Sequence, residues 1–369
     1  MRITIIGQWI YPANTPRAHR TWNLAQEFAK QGHSVTLYAL LGKMDYSCYA
    51  KENLQIRSLG HAFWGCSNSD LKQEYSNSIL RFIYKVIQRL MGYFLYFPEI
   101  ELFFLTRKAL LQEEETDLLI TIAYPHSIHW GAASCQNYKK NKVWIADCGD
   151  PFFSPFSKHP FYFRVIEKFW TSKVDAITVP VESAIDGYNS SCHPKISIIP
   201  QGFDFSDVKT ATYIPNAVPT FAFAGSVFKN TRDPSSFLNF LASLEFDFKF
   251  IVYTKDKLLF SGYKRLENKM EIREYISRND LIYELSKVDF LINISNAGTV
   301  QTPSKLIDYT LTQRPILTIS SQFHENEQFF EFIQANYSRQ TEPCKIENYE
   351  IKNIVDKFVK LHLSILHDK

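Results

Sequence analysis

Short apolar runs alternate with amphipathic segments along most of the chain. The first run, Arg2–Ile6, ends at Gly7 and is followed by a helical pattern over 20–31, which stops at Gly32. Repetition of this order predicts strands that alternate with helices in parallel sheets, an α/β fold. The strands predicted in a first series are 2–6, 35–41, 118–122, 143–146 and 176–179.

A second series of apolar runs occupies the C-terminal half. Its predicted strands are 196–199, 221–224, 248–253, 271–275, 288–294 and 316–319. Two series in 369 residues predict two Rossmann-like domains facing across a cleft, because one core of that size is unusual. We place the domains at 1–198 and 199–348, with the boundary near Pro200-Gln201-Gly202. A last amphipathic helix, within 349–369, is expected to pack back toward the N-terminal domain.

Composition narrows the class of protein. The net charge is only +3, so nothing calls for nucleic acid as a partner. The six cysteines are scattered without a CxxC pair or a matching histidine spacing, which predicts reduced thiols in a cytoplasmic protein rather than disulfides or a zinc site. No stretch reaches 18 apolar residues and no basic segment leads a long apolar run, so we expect neither a membrane span nor a secretory signal.

The segment 71–111 combines large apolar side chains with basic ones at helical spacing. Such a surface can lie on an anionic membrane face, so the segment suits a protein that is peripheral on the inner side of the cell membrane. It can equally form core helices with solvated Lys and Arg at their rims. We expect core for most of it and membrane contact for a smaller part.

The most informative segment is 301–309, which opens a short helix after an apolar strand. Pro303 and Ser304 suit its first turn, and Lys305 adds a cation to the positive end of the helix dipole. This combination favours a diphosphate, and Asp308 one turn later can accept hydrogen bonds from ribose hydroxyls. A plain capped helix with a solvated Lys–Asp pair is the alternative.

Basic residues also follow the predicted strand that ends at Gly225-Ser226. Lys229 and Arg232 come shortly afterwards, and an arginine fork matches phosphate oxygens in a bidentate way. Together with Lys305 they are expected to hold a diphosphate from two sides. A solvated basic loop is the alternative.

Three loops of the first series end in polar residues where parallel sheets bind ligands. Gly7 opens a loop that leads to Arg17 and Arg20, although no GxGxxG pattern supports a dinucleotide site. His126 and His129 follow the strand at 118–122, and either can point into the expected cleft. The strand at 143–146 is followed by two carboxylates, Asp147 and Asp150, which lack a third ligand for a metal.

Six segments follow one another in an order and spacing that match a known family. They are residues 3–35 with Pro12, Pro16 and Arg20; Pro125-His126-Ser127-Ile128-His129; Trp144 to Pro151; Ile199-Pro200-Gln201-Gly202-Phe203-Asp204; Gly225 to Pro234; and Pro303-Ser304-Lys305-Leu306-Ile307-Asp308-Tyr309 with Arg314-Pro315. The first resembles a strand and Pro-containing loop before a "GH-x-V" turn. The others resemble, in turn, "PPHS-x-H", "WIADFRDPW", "IPNG-(V/F)-D", "AG-(T/S)-L-Y…R-(D/N)-P" and "PSKLFEYLA". Over nearly its whole length the chain resembles the retaining glycosyltransferases of the GT-B fold, family 4 type, in their bacterial "PSKLFEY" subgroup.

Three positions depart from that pattern. Asp308 replaces the family's ribose-binding glutamate and is one methylene shorter. Gly149 stands where "DFRDP" has its arginine, which removes a charge. Val300 occupies the first acidic position of the wider family's E-x7-E pattern, so the sugar would be held by other groups, such as Asn296, Gly298 and Thr299.

The resemblance implies transfer of a sugar, with retention, from a nucleoside diphosphate sugar (a UDP-sugar first) to a saccharide or lipid-linked saccharide in bacterial surface polysaccharide synthesis. It implies no catalytic metal and no cofactor. The expected catalytic residues are His126, His129, Lys305 and Arg232. The expected donor-binding residues are Gly7, Gly225, Ser226, Lys229, Arg232, Tyr275, Asn296, Thr299, Pro303, Ser304, Lys305 and Asp308. The expected acceptor-binding residues are Pro16, Arg17, Arg20, Asp147 and Asp150. Two alternatives remain: a nucleotide-sugar 2-epimerase of the same fold, and a degenerate nucleotide-sugar-binding protein without catalysis.

Overall fold

The structure, a computed structural model, describes most of the chain in two compact units. The described residues are 1–13, 15–63, 78–135, 141–153, 159–227, 229, 232–295 and 304–369, with the backbone only at 78–84, 141 and 304. One unit comprises Met1–Asp204 together with Asn348–Lys369, and the other comprises Phe205–Glu347. The chain therefore crosses between units a few residues after Pro200-Gln201-Gly202 and returns just before its last helix.

The N-terminal unit is built on a parallel sheet with the strand order β3-β2-β1-β4-β5-β6-β7. Its strands are β1 Arg2–Ile6, β2 Ser34–Ala39, β3 Leu54–Ser58, β4 Thr116–Ala123, β5 Asn141–Cys148, β6 Ala176–Val179 and β7 Ile196–Ile198. Its helices are α1 Pro16–Lys30, α2 Ser78–Leu95, α3 Glu101–Gln112, α4 Ser127–Cys135, α5 Phe163–Lys173 and, from the end of the chain, α10 Ile351–Asp368. The central strands are buried on both faces, which explains why they appear as continuous apolar runs in the sequence.

Two strands of this sheet differ from the sequence prediction. β3 was missed because it is an edge strand in which only Leu54 is buried, so no apolar run marks it. The run near Ile196 was assigned to the second series, which is wrong: β7 pairs in parallel with β6, with Ile177 opposite Ile196. Local sequence cannot show this pairing, because the two strands are separated by an irregular segment that itself packs on the first sheet.

The C-terminal unit has a second parallel sheet, with the order β10-β9-β8-β11-β12. Its strands are β8 Thr220–Ala224, β9 Lys249–Tyr253, β10 Met270–Arg273, β11 Phe290–Ile294 and β12 Ile316–Ile319. Its helices are α6 Ser235–Ser243, α7 Arg278–Leu285, α8 Ser304–Leu311 and α9 Asn326–Ile333. Stacked phenylalanines fill the core on one face; the ring centroids of Phe221 and Phe290, for example, lie 4.9 Å apart.

The last helix, α10, belongs to the N-terminal unit. Its apolar stripe, which includes Ile354, Val355 and Phe358, is buried in the same core as β1 and α1. The Phe358 ring lies 6.4 Å from that of Phe28 on α1. The chain therefore completes the first core with its last residues.

The described part of the segment 71–111 divides into two kinds of helix. α3 is partly buried against α4, whereas the described side chains of α2 from Lys85 to Leu95 lie mostly at the surface. Ile87, Leu90 and Phe94 are about half exposed. The expectation that most of this segment forms core is therefore wrong for α2. Residues 71–77 lie outside the described part.

A second group of exposed apolar side chains lies next to the end of α2. Phe161 and Val165, at the start of α5, are 83% and 71% exposed, and the Tyr162 hydroxyl donates a hydrogen bond to the carbonyl of Phe94. We call this combined surface of α2 and α5 the apolar face. None of the helices in the described part of the chain is long and apolar enough to cross a bilayer.

Candidate functional site

Helix α8 is fixed to the carboxyl ends of two strands by one buried tyrosine. The Tyr309 hydroxyl accepts a hydrogen bond from the Ala224 N–H at 2.8 Å and lies 3.2 Å from the carbonyl of Ile292. Because Tyr309 is 1% exposed, this anchor is shielded from water. It holds the amino end of α8 beside the end of β8, which is where a parallel sheet presents its ligands.

Lys305, in the first turn of α8, has no counter-ion among the residues that the structure describes. Its Nζ is enclosed and has no hydrogen-bond partner among the described residues. The Nζ lies 4.9 Å from the centre of the Phe223 ring, on β8. Burial, together with the nearby Arg232, lowers the pKa of Lys305 to about 7. An enclosed amine of this kind is stabilised as a cation as soon as an anion arrives.

The loop after β8 brings a second cation to Lys305. The Arg232 guanidinium donates a hydrogen bond to the Ser226 carbonyl at 3.1 Å, and burial lowers its pKa. Gly225 has a φ of +138°, a conformation that favours glycine, and a Cβ there would lie 3.9 Å from Cδ of Lys305. The backbone therefore passes close to both cations.

The alternative reading of this helix required an ion pair between Lys305 and Asp308. The structure instead pairs Asp308 with Arg278. Its Oδ1 accepts a hydrogen bond from Nε of Arg278 at 2.8 Å, and Nη2 of the same arginine lies 2.5 Å from Oδ1. Burial raises the pKa of Asp308, and Arg278 opposes that shift. Both contacts converge on one oxygen, so among the described residues Oδ2 keeps its capacity to accept hydrogen bonds.

Two predicted donor residues lie near this cluster without joining it. Lys229 is exposed, and no described contact links it to Lys305 or Arg232. Tyr275, after β10, is 47% exposed and has the Lys255 ammonium 5.2 Å from its ring centre. Asn296, Thr299 and Pro303 lie outside the described residues, as do Gly298 and Val300, and Ser304 is described in its backbone only.

The C-terminal unit thus presents two neighbouring cations, a helix amino end and a carboxylate at one edge of its sheet. We call Lys305, Arg232, Gly225 and Ser226 the anion site. Like charges this close repel each other, and burial adds to the cost, so the arrangement is stabilised by an anion between them. A diphosphate fits that requirement, and the carboxylate of Asp308, one turn further along α8, suits hydroxyl groups.

In the N-terminal unit, Arg20 and Asp147, which were both predicted to bind the acceptor, pair with each other. Both are 2% exposed, and Arg20 donates to Asp147 through Nε at 3.0 Å and Nη2 at 2.7 Å. Arg20 also donates to the carbonyls of Ile199 and Pro200. Burial alone would raise the pKa of Asp147, but Arg20 holds it below its usual value. The pair is a buried ion pair that joins α1, β5 and the chain after β7.

The two histidines that were predicted to be catalytic are also enclosed within this unit. His126 and His129 are 3% and 0% exposed. Nδ1 of His129 lies 2.8 Å from the Thr121 hydroxyl, and its Nε2 lies 3.3 Å from Sγ of Cys148. The Nε2–H of His126 donates to the Asp150 carbonyl at 3.1 Å, and burial lowers the pKa of His126 to about 4. Both rings therefore connect the ends of β4 and β5 as neutral groups.

These contacts bring a cysteine to the two histidines, although the sequence shows no paired spacing between the two residue types. One nitrogen from each imidazole and Sγ of Cys148 lie within 4.8 Å of one another. Burial raises the pKa of the Cys148 thiol, so the neutral cluster is held by hydrogen bonds. Spacing along the chain concealed it, because the partners come from two strand ends.

Gly7 is a packing position. Its N–H donates to the Tyr38 carbonyl at 3.1 Å, and a Cβ there would lie 2.5 Å from Oγ1 of Thr21. The backbone N–H of Gly7 and the space beside its Cα are therefore both used by contacts within the unit. Pro16 and Asp150 are exposed, as acceptor contacts would require.

Sequence reasoning missed Phe223 and Arg278. Phe223 looked like any core residue of an apolar strand, and nothing local places it under a lysine 82 positions away. Arg278 carried a weak signal: it stands just after Tyr275 at the predicted end of a strand, where charged residues are candidates for ligand binding.

No protein-family model matches the chain, and no curated protein matches it either. Solved structures match over almost the whole length. A glycosyltransferase from Rickettsia africae ESF-5 has a TM-score of 0.61 at 12% identity and covers 100% of this chain and 99% of that chain. The lipopolysaccharide outer core galactosyltransferase WaaB, in its apo form, has a TM-score of 0.60 at 13% identity, with 99% of both chains covered. HepE from Anabaena, in complex with UDP and glucose, has a TM-score of 0.56 at 10% identity, covering 99% of this chain and 100% of that chain. At these identities the likeness establishes the architecture: this chain has the GT-B fold of those glycosyltransferases.

Proposed function

We propose that this protein is a retaining glycosyltransferase that transfers a sugar from a nucleoside diphosphate sugar, with UDP-sugars as the first candidates. The fold supports this proposal, as does the similarity to HepE, whose structure contains UDP and glucose. The observation that carries it is the anion site, where the enclosed Lys305, which has no counter-ion in the described part of the chain, lies beside Arg232. In the proposal the C-terminal unit binds the donor.

The proposed chemistry follows from where charge develops. As the bond between sugar and diphosphate breaks, negative charge grows on the leaving phosphate, and cations fixed beforehand stabilise that charge without reorganisation. Lys305 and Arg232 supply them, so the proposal requires no metal ion. Oδ2 of Asp308 accepts hydrogen bonds from the ribose hydroxyls while Arg278 holds the carboxylate in place.

Retention is proposed to result from attack of the acceptor hydroxyl on the anomeric carbon from the same face as the departing phosphate. His126 and His129 are enclosed and neutral, so neither is assigned as a nucleophile or base in this scheme. The leaving phosphate itself takes the proton of the attacking hydroxyl. The histidines act as positioning residues, because they fix the strand ends that carry Asp150.

The acceptor is proposed to be a saccharide or lipid-linked saccharide of a bacterial surface polysaccharide, such as lipopolysaccharide or capsule, bound by the N-terminal unit. The similarity to WaaB, a lipopolysaccharide outer core galactosyltransferase, supports this setting. A lipid-linked acceptor would place the enzyme at the cytoplasmic face of the membrane.

Membrane binding through the apolar face is expected to be peripheral and sensitive to salt. Exposed Lys85, Arg89, Arg164 and Lys168 surround the apolar side chains. The only carboxylate of α5, Glu167, is buried, and burial raises its pKa to about 7. Basic residues of this kind attract anionic lipids by about 1 kcal/mol each near the surface. We expect cosedimentation with phosphatidylglycerol vesicles in low salt and release in high salt.

The matched variants for that test are Phe161→Ser with Val165→Ser on the apolar face, and Leu258→Ser in the C-terminal unit. Leu258 is 88% exposed, so it has the same chemistry at a site away from the face. The double variant should lose vesicle binding, whereas Leu258→Ser should keep it. Equal binding by all three proteins, or none by the parent, would contradict the assignment of the face.

The function itself is tested with a panel of UDP-, GDP- and TDP-sugars and no acceptor. We expect slow hydrolysis of one donor and binding of the corresponding nucleoside diphosphate, since water can replace an absent acceptor. Conversion of a donor to its 2-epimer would instead identify an epimerase. A protein that binds no nucleoside diphosphate by calorimetry would rule out the proposed donor site altogether.

A further inference from the structure

Arg17 lies in the first turn of α1, at the carboxyl edge of the N-terminal sheet. The helix begins at Pro16 and is capped by Thr15, whose Oγ1 accepts a hydrogen bond from the Ala18 N–H at 3.2 Å. This start is earlier than the sequence predicted, and it places Arg17 on a rigid element. The first turn contains no acidic residue.

The Arg17 guanidinium lies against Gly149, which follows β5 at the same edge. A Cβ on Gly149 would lie 2.4 Å from Cζ of Arg17 and 2.7 Å from its Nε, closer than non-bonded atoms approach. Any side chain at position 149 would therefore displace the guanidinium. Glycine at this position is explained by the space that Arg17 occupies.

Among the described residues, Asp147 is the only carboxylate in ion-pair range of Arg17, and it is already bonded to other groups. Asp147 accepts two hydrogen bonds from Arg20 and one from Thr178 at 2.7 Å. Nη1 of Arg17 stays 3.9 Å from Oδ2 of Asp147, too far for a hydrogen bond. Among the described residues, no side-chain hydrogen bond of Arg17 exists, although only a quarter of the side chain is exposed.

We propose that Arg17 binds an anionic group of the acceptor, a phosphate or a carboxylate. This inference rests on the proposed function and specifies the substrate class of its acceptor. A guanidinium that is largely buried, and whose N–H groups have no hydrogen-bond partner in the described part of the chain, matches an oxyanion that can accept two parallel hydrogen bonds. The exposed Asp150 next to it suits hydroxyl groups of the same ligand.

The position of the cation also accounts for the sequence around it. Arg17 and Gly149 are 132 positions apart, yet the first fills the space that the second leaves open. Gly149 has no left-handed backbone conformation that would demand glycine. An arginine can therefore be placed at 149 once Arg17 is removed, which returns a cation to the same region from the other side.

The experiment compares anionic and neutral probes on protein saturated with UDP, which occupies the anion site of the C-terminal unit. The probes are the methyl glycosides of glucose and galactose, their 1-phosphates, and glucuronate and galacturonate, titrated by calorimetry. We expect a 1-phosphate or a uronate to bind at least about tenfold more tightly than the methyl glycoside, and the two arms distinguish phosphate from carboxylate.

Four variants test the residue assignment. Arg17→Ala and Gly149→Ala should each abolish the preference for the anionic probe, the second by displacing the guanidinium. Arg17→Ala combined with Gly149→Arg should restore it. Lys30→Ala, which removes an exposed cation at the other end of α1, should leave it unchanged.

Several results would overturn the inference. These are a parent protein that binds no anionic probe better than the neutral ones at millimolar concentration, a preference that survives in Arg17→Ala, and a folded double variant that does not recover it. Loss of UDP affinity in Arg17→Ala would assign the guanidinium to the donor, and this result would also overturn the inference. Failure of the parent to bind UDP, GDP or TDP would instead refute the proposed donor site, and the titrations are then read without nucleotide.

Discussion

Replacing Lys305 by alanine is expected to lower the rate constant for donor cleavage by about 10²–10³-fold, the usual effect of losing one fixed group that stabilises a developing oxyanion. The attraction between the ammonium and the leaving phosphate is strongest while the glycosidic bond is breaking, because negative charge then grows on the phosphate. Removing the ammonium therefore destabilises the transition state more than the bound donor. Arg232 remains in the site and limits the effect. Single-turnover measurements at saturating donor separate this rate from binding.

Two control variants sharpen that test. Lys287→Ala removes a lysine that also lies over an aromatic ring, 4.3 Å from the ring centre of Tyr283, but is exposed and paired with Glu284. It should behave like the parent.

Asp308→Asn should act mainly on donor affinity, by roughly 1.5–3 kcal/mol for a charge-assisted hydrogen bond, because ribose contacts are similar in ground and transition states. A Lys305→Ala enzyme as fast as the parent would place the leaving group elsewhere.

The elements that could be predicted from the sequence are those whose burial in the core requires a run of apolar residues. Buried parallel strands such as β4 and β11 are continuous apolar runs, and the position of Lys305 at the start of a helix after β11 follows from local patterns alone. The edge strand β3 lacked that signal. The cation site could therefore be located in the sequence, although its environment could not: the ring of Phe223 and the partner of Asp308 come from other elements.

The surroundings of charged residues were the hardest feature to predict from the sequence, for one physical reason. Charged side chains are usually exposed, and nothing in the local sequence shows that Arg20 and Asp147 are buried. Their burial depends on mutual pairing across 127 positions, which only the folded chain brings about. The same holds for His129 and Cys148, whose contact satisfies two polar groups that would otherwise be costly to enclose.

Apolar residues gave the opposite error. The helical pattern of α2 shows which side chains share a face, but it cannot show whether another element covers that face. In the structure Leu90 and Phe94 remain half exposed. Exposed apolar patches of this kind mark interaction surfaces in soluble proteins, which is why α2 and α5 are linked here to a membrane.

Binding of UDP should weaken as the pH rises above neutrality, and Lys305 is the reason. With a pKa of about 7, the amine of Lys305 in the free protein is half protonated at pH 7 and almost fully deprotonated at pH 9. The terminal phosphate, with a pKa near 6, is already ionised over that range. An anion raises the pKa of the amine, so binding takes up a proton. From these values the dissociation constant should rise roughly fifty-fold between pH 7 and 9.

Lys305→Arg provides the decisive comparison, because a guanidinium stays protonated throughout this range. Its UDP affinity should be nearly constant from pH 7 to 9, even if it is weaker than that of the parent at pH 7. Calorimetry in two buffers of different ionisation enthalpy should detect proton uptake in the parent above pH 7.5 and none in the variant. A parent protein whose affinity is as flat as that of Lys305→Arg would show that the enclosed amine is not the group that meets the diphosphate, and the anion site would then have to be assigned to Arg232 alone.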